Sequence, residues 1–375
     1  MSRIAEGDRP DPPATDGEIA TINLESARRR SWVRFAQDPL RLGLAEEIID
    51  QERLVSQFLG DLGALDRLDD LAPRFGRVDN SFRAALIDAQ VASGSHRFND
   101  ARGHLARAAH LGAPLDVRER HRLTIDQACG MNLETVFAAR RQIAAATGGL
   151  EDLVPLGAVL ADLERFAEAN SVYRQAFYSY AGMSPFPPAW VCFQLGLLWG
   201  ELVPATDPDL AALWYRRAIS YVPGYVKARV HLAEILISQG QAREAEVLLV
   251  PALSSGDPEV RWRLASVLTV QERFTEAQAQ LDAARLGFEE LLRKHPLAFA
   301  DHAAEFYAGS GDRQWALELA RLNAANRPTR RSLELVHALV LKADETGEIP
   351  GRRIKPADRD AGRFATDFMA QRGSL

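Results

Sequence analysis

Cysteine is scarce in this sequence, which has only Cys129 and Cys192 among its 375 residues. Two cysteines cannot by themselves build a disulfide framework or complete a zinc site. Long apolar runs are also missing, since no stretch approaches the roughly 18 consecutive apolar residues of a membrane-spanning helix. Residues 1–20 lack the apolar segment of a secretory signal peptide. These absences predict a cytoplasmic protein with no membrane span.

Positive charge is in short supply as well. The chain has 45 Lys and Arg residues against 51 Asp and Glu residues, for a net charge of −6. A general nucleic-acid binder draws its affinity mainly from neutralising phosphates, so this balance argues against nucleic acid as a partner. The 47% hydrophobic content is that of a folded protein. The length suggests two or three domains of about 150 residues, unless the chain is a stacked repeat.

Short catalytic and cofactor-binding motifs are absent too. The sequence has no glycine-rich dinucleotide or phosphate loop, no H-E-x-x-H zinc motif and no G-x-S-x-G nucleophile motif. The nearest polar constellation is Asp301, His302 and Glu305, which would share one helical face. These three residues lack a nucleophile or a complete ligand set, so a solvated helix face is the favoured interpretation. We therefore predict no cofactor, no metal and no enzymatic activity.

What the sequence does contain is a repeat. Residues 226–256 hold two apolar stripes with helical spacing, separated by a break at Gly240, which predicts a helix–turn–helix unit. A small residue recurs in the first helix of each unit, at intervals near about 34 residues or twice that, at Ala89, Gly157, Gly196, Ala233, Ala265 and Ala304. A second small residue recurs in the following helix, at Ala101, Ala169, Ala211, Ala245, Ala277 and Ala316.

This pattern resembles the tetratricopeptide repeat family over about residues 45–329. The unit most similar to the family motif W-x2-L-G-x2-Y, A-x3-F, A and P consists of Cys192, Leu195, Gly196, Trp199, Ala211, Tyr215, Ala218 and Pro223. The unit at 116–147 fits poorly. The resemblance implies an all-α fold, a right-handed superhelical α-solenoid of about eight helical hairpins at 41–329. Residues 1–40 and 330–375 would flank it.

The flanking segments suggest two end structures. Residues 1–20 are rich in Pro, Asp and Gly and are expected to be disordered, followed by a short basic helix at 24–36. That helix would either dock on an acidic partner or, as we favour, lie on the first hairpin with its arginines in water. At the other end, an amphipathic helix at 357–371 would cover the apolar segment 332–343 as a capping pair. The alternative is that it docks on a second chain, giving a homo-oligomer.

The sequence departs from the regular repeat in two further segments. Extra residues fall between the two helices of one unit, near 202–207. The second helix at 274–295 should reach about 30 Å, roughly twice the length of its neighbours, at about 1.5 Å per residue. We expect it to project beyond the ridge formed by the neighbouring helices.

The resemblance also implies where a partner would bind, because the first helices of tetratricopeptide units line a concave groove. Carried over position by position, the candidate groove residues are Arg83, Gln90, Trp190, Phe193, Lys227, Glu234, Trp262, Asp301, His302 and Glu305. Phe193 and Trp262 would either anchor a bound peptide or pack into the core between units. The Lys/Asn clamp with which some family members hold C-terminal carboxylates is not found at these positions.

The sequence therefore predicts a non-catalytic adaptor that binds a peptide or partner protein in the groove. Because the central part of the chain is acidic, a basic partner is favoured. The alternative is an accessory subunit that presents a peptide substrate to a separate modifying enzyme, docking through helix 274–295 and the C-terminal helix. RNA binding by helical repeats is disfavoured by the lack of a basic stripe.

Overall fold

Helices joined by short turns make up the computed structural model, which describes residues 10–345. This part of the chain contains eighteen α-helices and no strand. They are α1 Gly17–Gln37, α2 Leu44–Leu59, α3 Ala64–Gly76, α4 Phe82–Gly94, α5 Phe98–His110, α6 Leu115–Ala128, α7 Leu133–Thr147, α8 Leu150–Asp162, α9 Phe166–Tyr178, α10 Phe186–Leu197, α11 Pro208–Tyr221, α12 Val226–Ser238, α13 Ala242–Leu249, α14 Pro258–Val270, α15 Phe274–Lys294, α16 Pro296–Ser310, α17 Arg313–Asn326 and α18 Arg330–Glu345.

The helices from α2 to α15 form seven consecutive hairpins, which confirms the predicted all-α helical repeat. Even the poorly matching stretch at 116–147 is a hairpin, of α6 and α7. The small residues that revealed the repeat are buried where the two helices of a hairpin meet. The repeated alanines of the second helices are between 0% and 4% exposed, at Ala101, Ala169, Ala211, Ala245, Ala277 and Ala316. Small side chains at these positions let the paired helices approach closely.

Gly196 shows how tight this approach is. A Cβ atom at Gly196 would lie 2.4 Å from Cε1 of Tyr215, a side chain that is 1% exposed. Gly157 stands in the same relation to Tyr173, at 2.5 Å from Cε1. The sequence pairing of a small residue in the first helix with a large ring in the second is therefore a direct packing contact.

Replacing Gly196 with alanine is expected to lower the free energy of unfolding by about 2–3 kcal/mol, because the Tyr215 ring must move within a filled core. Denaturant unfolding followed by circular dichroism measures the change. Gly103 is the matched control, since it is an exposed helical glycine with no atom within 4 Å of an added Cβ. Alanine there should stabilise by about 0.5–1 kcal/mol through helix propensity. Equal effects at the two positions would contradict this packing.

The chain divides into two compact units, residues 1–298 and 299–375. Within the described part of the second unit, α17 packs on α18. The side chains of Phe306 and Ala316 are fully buried there. Residues 357–371, which we predict to form the capping helix, lie outside the described residues.

In the first unit, the first hairpin contacts hairpins that come much later in the chain. The ring of Phe58, at the end of α2, lies 4.5 Å from the ring of Tyr225 and 5.1 Å from that of Phe186, measured between centroids. Phe58 is 2% exposed and belongs to the same buried core as side chains from α6 to α14. The first unit therefore closes on itself, which a repeat with contacts only between neighbouring hairpins would not do.

Helix α15 confirms the predicted long second helix, with 21 residues. Its C-terminal end does not project freely, which corrects our expectation. Lys294 Nζ lies 2.7 Å from Asp66 Oδ2, and His295 Nε2 lies 2.7 Å from Asp66 Oδ1. Burial alone would raise the pKa of Asp66, but the hydrogen bonds with Lys294 and His295 lower it. The extra length of α15 thus carries its end to α3 of the first hairpin.

The N-terminal helix α1 is longer than the predicted 24–36 and packs on α2. The prediction of disorder is wrong for residues 10–20. Arg217 holds Asp11 at 3.0 Å, the Tyr221 hydroxyl donates a 2.9 Å hydrogen bond to the Pro12 carbonyl, and α1 begins at Gly17. Arg29 on α1 is 79% exposed in its side chain, as expected for a helix lying on the first hairpin with arginines in water, but Arg28 is only 15% exposed and lies 3.3 Å from Glu52 on α2.

Candidate functional site

Seven of the ten predicted groove residues lie in the first unit, on α4, α10, α12 and α14. All except Phe193 are half-buried, so that part of each side chain reaches the surface: Arg83, Gln90, Trp190, Lys227, Glu234 and Trp262. The helices that carry them are first helices of their hairpins, which is the placement that the repeat register predicts. We call these six side chains the half-exposed row, after their order along the chain.

Phe193 is 7% exposed and packs in the core. Its ring centroid lies 5.2 Å from that of Tyr225, 5.4 Å from that of His231 and 5.7 Å from that of Tyr215. Of the two roles predicted for Phe193, the structure places its side chain in the core within and between neighbouring hairpins of the first unit. Trp262 is therefore the stronger candidate for an aromatic anchor.

Trp262 lies beside a chain of charges that joins α12 to α14. The Arg263 guanidinium is 3.6 Å from the Trp262 ring centroid, close enough for a cation–π contact. The same guanidinium pairs with Glu234 on α12 and lies 3.8 Å from Glu259. Arg263 therefore fixes the spacing between two members of the half-exposed row, Glu234 and Trp262.

The N-terminal end of the row is held by α2. Arg83 lies 3.3 Å from Glu46 and stacks its guanidinium 5.4 Å from the centroid of Phe75. Arg53 donates a hydrogen bond of 3.3 Å to the backbone carbonyl of Gln90. Contacts with α2 therefore fix the positions of Arg83 and Gln90.

The remaining three predicted residues lie on α16 in the second unit, and each is half-buried. Asp301 is 3.8 Å from Arg327, and Glu305 is 3.7 Å from Arg331. The Asp301 side chain also accepts a hydrogen bond from the backbone N–H of His302. Each of these two carboxylates therefore lies close to an arginine.

A cluster that the sequence analysis missed lies between α10 and α12. The α10 helix continues as a π-helical turn, Leu198–Leu202, which carries Glu201. Glu201 Oε1 is 2.8 Å from His231 Nδ1, and Glu234 Oε2 is 3.5 Å from the same nitrogen. The insertion near 202–207 was a signal of irregular structure here, but nothing in the sequence connects Glu201 to a histidine thirty residues later.

The environment of His231 changes its ionisation. Burial alone would lower the pKa of His231, but hydrogen bonds with Glu201 and Glu234 raise it to about 10. The imidazole ring is stacked on Tyr215, with centroids 5.5 Å apart and an interplanar angle of 19°. Ring stacking and the two carboxylates therefore fix both the orientation and the polarity of this side chain.

Two solved structures that are similar to this chain are described as tetratricopeptide repeat proteins. One from Parabacteroides merdae is 12% identical, covers 70% of this chain and 100% of its own, and has a TM-score of 0.39. Another, the C-terminal part of a repeat protein from Cytophaga hutchinsonii, is 12% identical, covers 78% and 98%, and has a TM-score of 0.32.

A third similar structure is the APC/C hetero-tetramer Cut9–Hcn1, with 14% identity, 83% of this chain and 58% of that chain covered, and a TM-score of 0.42. No protein-family model matches the chain. No curated protein matches it either. The binding properties of this chain must therefore be argued from its own side chains.

The two cysteines are buried, as small packed groups would be. Burial raises the pKa of the Cys192 thiol well above its usual range, which keeps it protonated and unreactive. Cys129 is 0% exposed. Within residues 10–345, no helix combines the length and the apolar character that crossing a membrane requires.

Proposed function

We propose that this protein is a non-catalytic adaptor that binds a peptide or a segment of a partner protein along the half-exposed row of its first unit. The observation that carries the proposal is the row itself. Six large polar or aromatic side chains from the first helices of four hairpins are half-exposed, and buried apolar side chains of the same helices form the core beneath them. Rigid helices that present such a row provide a surface on which an extended or helical segment can dock.

Trp190 and Trp262 supply the apolar contacts of this surface, because tryptophan combines a large ring area with few rotatable bonds. Lys227 and Glu234 supply charges of opposite sign on the same helix, α12, and these would orient the bound segment. The acidic balance of the chain favours association with a basic partner, since complementary charge mainly speeds encounter and sets specificity.

Trp262→Ala is expected to weaken partner binding by at least about 2 kcal/mol, which is about 30-fold in Kd. The partner is first isolated with the tagged full chain from its native extract, and its affinity is then measured by calorimetry. Val247→Ala is the matched control, since Val247 is 75% exposed on α13 and lies outside the row. Unchanged affinity in Trp262→Ala, with the fold intact by circular dichroism, would contradict the proposal.

The accessory-subunit alternative uses another surface. Helix α15 exposes two large apolar side chains, Phe274 at 63% and Leu286 at 67%. An enzyme that docks there would lose affinity for Phe274→Ala and keep it for Trp262→Ala. The two substitutions therefore separate the two roles in one set of binding measurements.

A further inference from the structure

The cluster of Glu201, His231 and Glu234 is the one group in residues 10–345 whose histidine and carboxylate ligand atoms could close around a single metal ion. One ligand atom from each residue lies within 4.8 Å of the other two. Ligands of a tetrahedral ion bound at about 2.1 Å are about 3.4 Å apart. The observed 2.8 Å and 3.5 Å separations from His231 Nδ1 bracket that value. Small side-chain rotations would therefore suffice to place all three atoms around an ion.

The backbone of this region is arranged so that Glu201 meets α12. A π-helical turn, the five residues Leu198–Leu202, brings Glu201 to the histidine. Single π-helical turns within α-helices are rare, and those that occur often lie at functional sites. Here the turn ends at Leu202, where the insertion that interrupts the repeat begins. The adaptor function does not need this departure, since Glu201 lies outside the half-exposed row.

Neighbouring groups orient two of the three ligands. Tyr215 stacks on the His231 ring, and Phe193 meets it at 67°. Arg263 pairs with Glu234 Oε1, so that Oε2 is the atom that faces His231. Outer partners of this kind fix ligand geometry in metal sites. Arg263 also lies 3.8 Å from Glu259. The three negative charges of Glu201, Glu234 and Glu259 would together balance Arg263 and a divalent ion.

The cluster opens on a cleft of about 230 Å³, whose other walls include Gly200, Pro208 and Ser238. This space gives an ion a path from solvent and leaves room for water as a fourth ligand. Three protein ligands with one open position is a common arrangement for zinc. An imidazole nitrogen with two carboxylates suits Zn²⁺ and similar transition metals better than Mg²⁺ or Ca²⁺, which prefer oxygen alone.

We propose that Glu201, His231 and Glu234 bind one divalent transition-metal ion of the zinc class. The ion would join the π-helical turn to α12 and so hold two neighbouring hairpins in a fixed relation. The same three side chains also make a self-contained histidine–carboxylate ion pair, and this is the outcome that the experiment must separate from a metal site.

The test uses the full chain, stripped with a chelator and titrated with Zn²⁺ alone in mildly alkaline buffer, where protons compete less for the ligands. We expect one ion per chain and a higher unfolding temperature with Zn²⁺, since a ligand that binds the native state stabilises it. Glu201→Gln should lower the affinity by more than the roughly 10–100-fold that loss of an outer partner costs, and should abolish the thermal shift.

Glu201→Gln is chosen because it keeps the side-chain volume and, unlike a change at Glu234, alters no residue of the half-exposed row. His231→Ala is the second variant. His104→Ala is the control, because His104 is another partly exposed histidine near a carboxylate, 3.9 Å from Asp88. Absence of 1:1 binding, or equal Zn²⁺ affinity in the wild-type chain and in Glu201→Gln, would show that the cluster is an ion pair only.

Discussion

Truncation of Phe58 to alanine is expected to lower the free energy of unfolding by about 3–5 kcal/mol, the cost of removing a buried aromatic ring from a packed core. The ring is 2% exposed and fills the space between Tyr225 and Phe186, which belong to hairpins far along the chain. The variant should also be less compact, because this contact joins α2 to α10 and α12. Denaturant unfolding and small-angle X-ray scattering measure the two effects.

Leu286→Ala provides the control for this prediction. Leu286 is 67% exposed on α15, so its truncation should change stability by less than about 0.5 kcal/mol. If Phe58→Ala cost no more than the control and left the radius of gyration unchanged, the closure of the first unit would not exist in solution.

Glu52→Gln is the second substitution with a large expected effect, about 3–5 kcal/mol, which is typical of removing one charge from a buried ion pair. The Glu52 side chain is 0% exposed. Oε1 accepts a 2.6 Å hydrogen bond from Trp32 and lies 3.3 Å from Arg28, while Oε2 accepts bonds of 2.7 Å and 2.9 Å from Arg67. Both oxygens therefore face donors only.

A glutamine at position 52 must turn its amide N–H groups toward one of these donor sets, which breaks the contacts among α1, α2 and α3. Glu25→Gln is the matched control, because Glu25 pairs with the same Arg28 at 3.1 Å but is 30% exposed in its side chain. A partly exposed pair is worth about 1 kcal/mol or less. Thermal and denaturant unfolding of both variants gives the comparison, and similar losses would show that Glu52 is not the buried centre of this network.

Local features of the fold could be predicted from the sequence. The recurrence of alanine and glycine gave the hairpins and their register because a small residue at a helix crossing is a requirement of close packing. The pairing of Gly196 with Tyr215 follows from that register. The length of α15 also followed from the sequence, since helical periodicity continues without a break from Phe274 to the turn before Pro296.

Contacts between distant segments could not be predicted in this way. Whether Phe58 meets Tyr225 depends on the curvature that accumulates over several hairpins, and each small rotation between neighbours is set by packing details rather than by residue pattern. The Glu201–His231–Glu234 cluster was missed for the same reason, because it depends on the local path of a π-helical turn. The surface role of the half-exposed row remains a prediction that binding measurements must test.

The junction between the end of α15 and Asp66 has a consequence for biosynthesis. Lys294 and Asp66 are 228 positions apart, and contacts at such separation slow folding because the intervening chain must first be ordered. During translation the first hairpin leaves the ribosome long before Tyr225 or Lys294 exists. Until Tyr225 and Lys294 have been synthesised, the first hairpin therefore lacks these contacts and the Phe58 ring is exposed. We therefore expect this unit to need chaperones at this stage and to tolerate the deletion of a hairpin less well than open repeat arrays do.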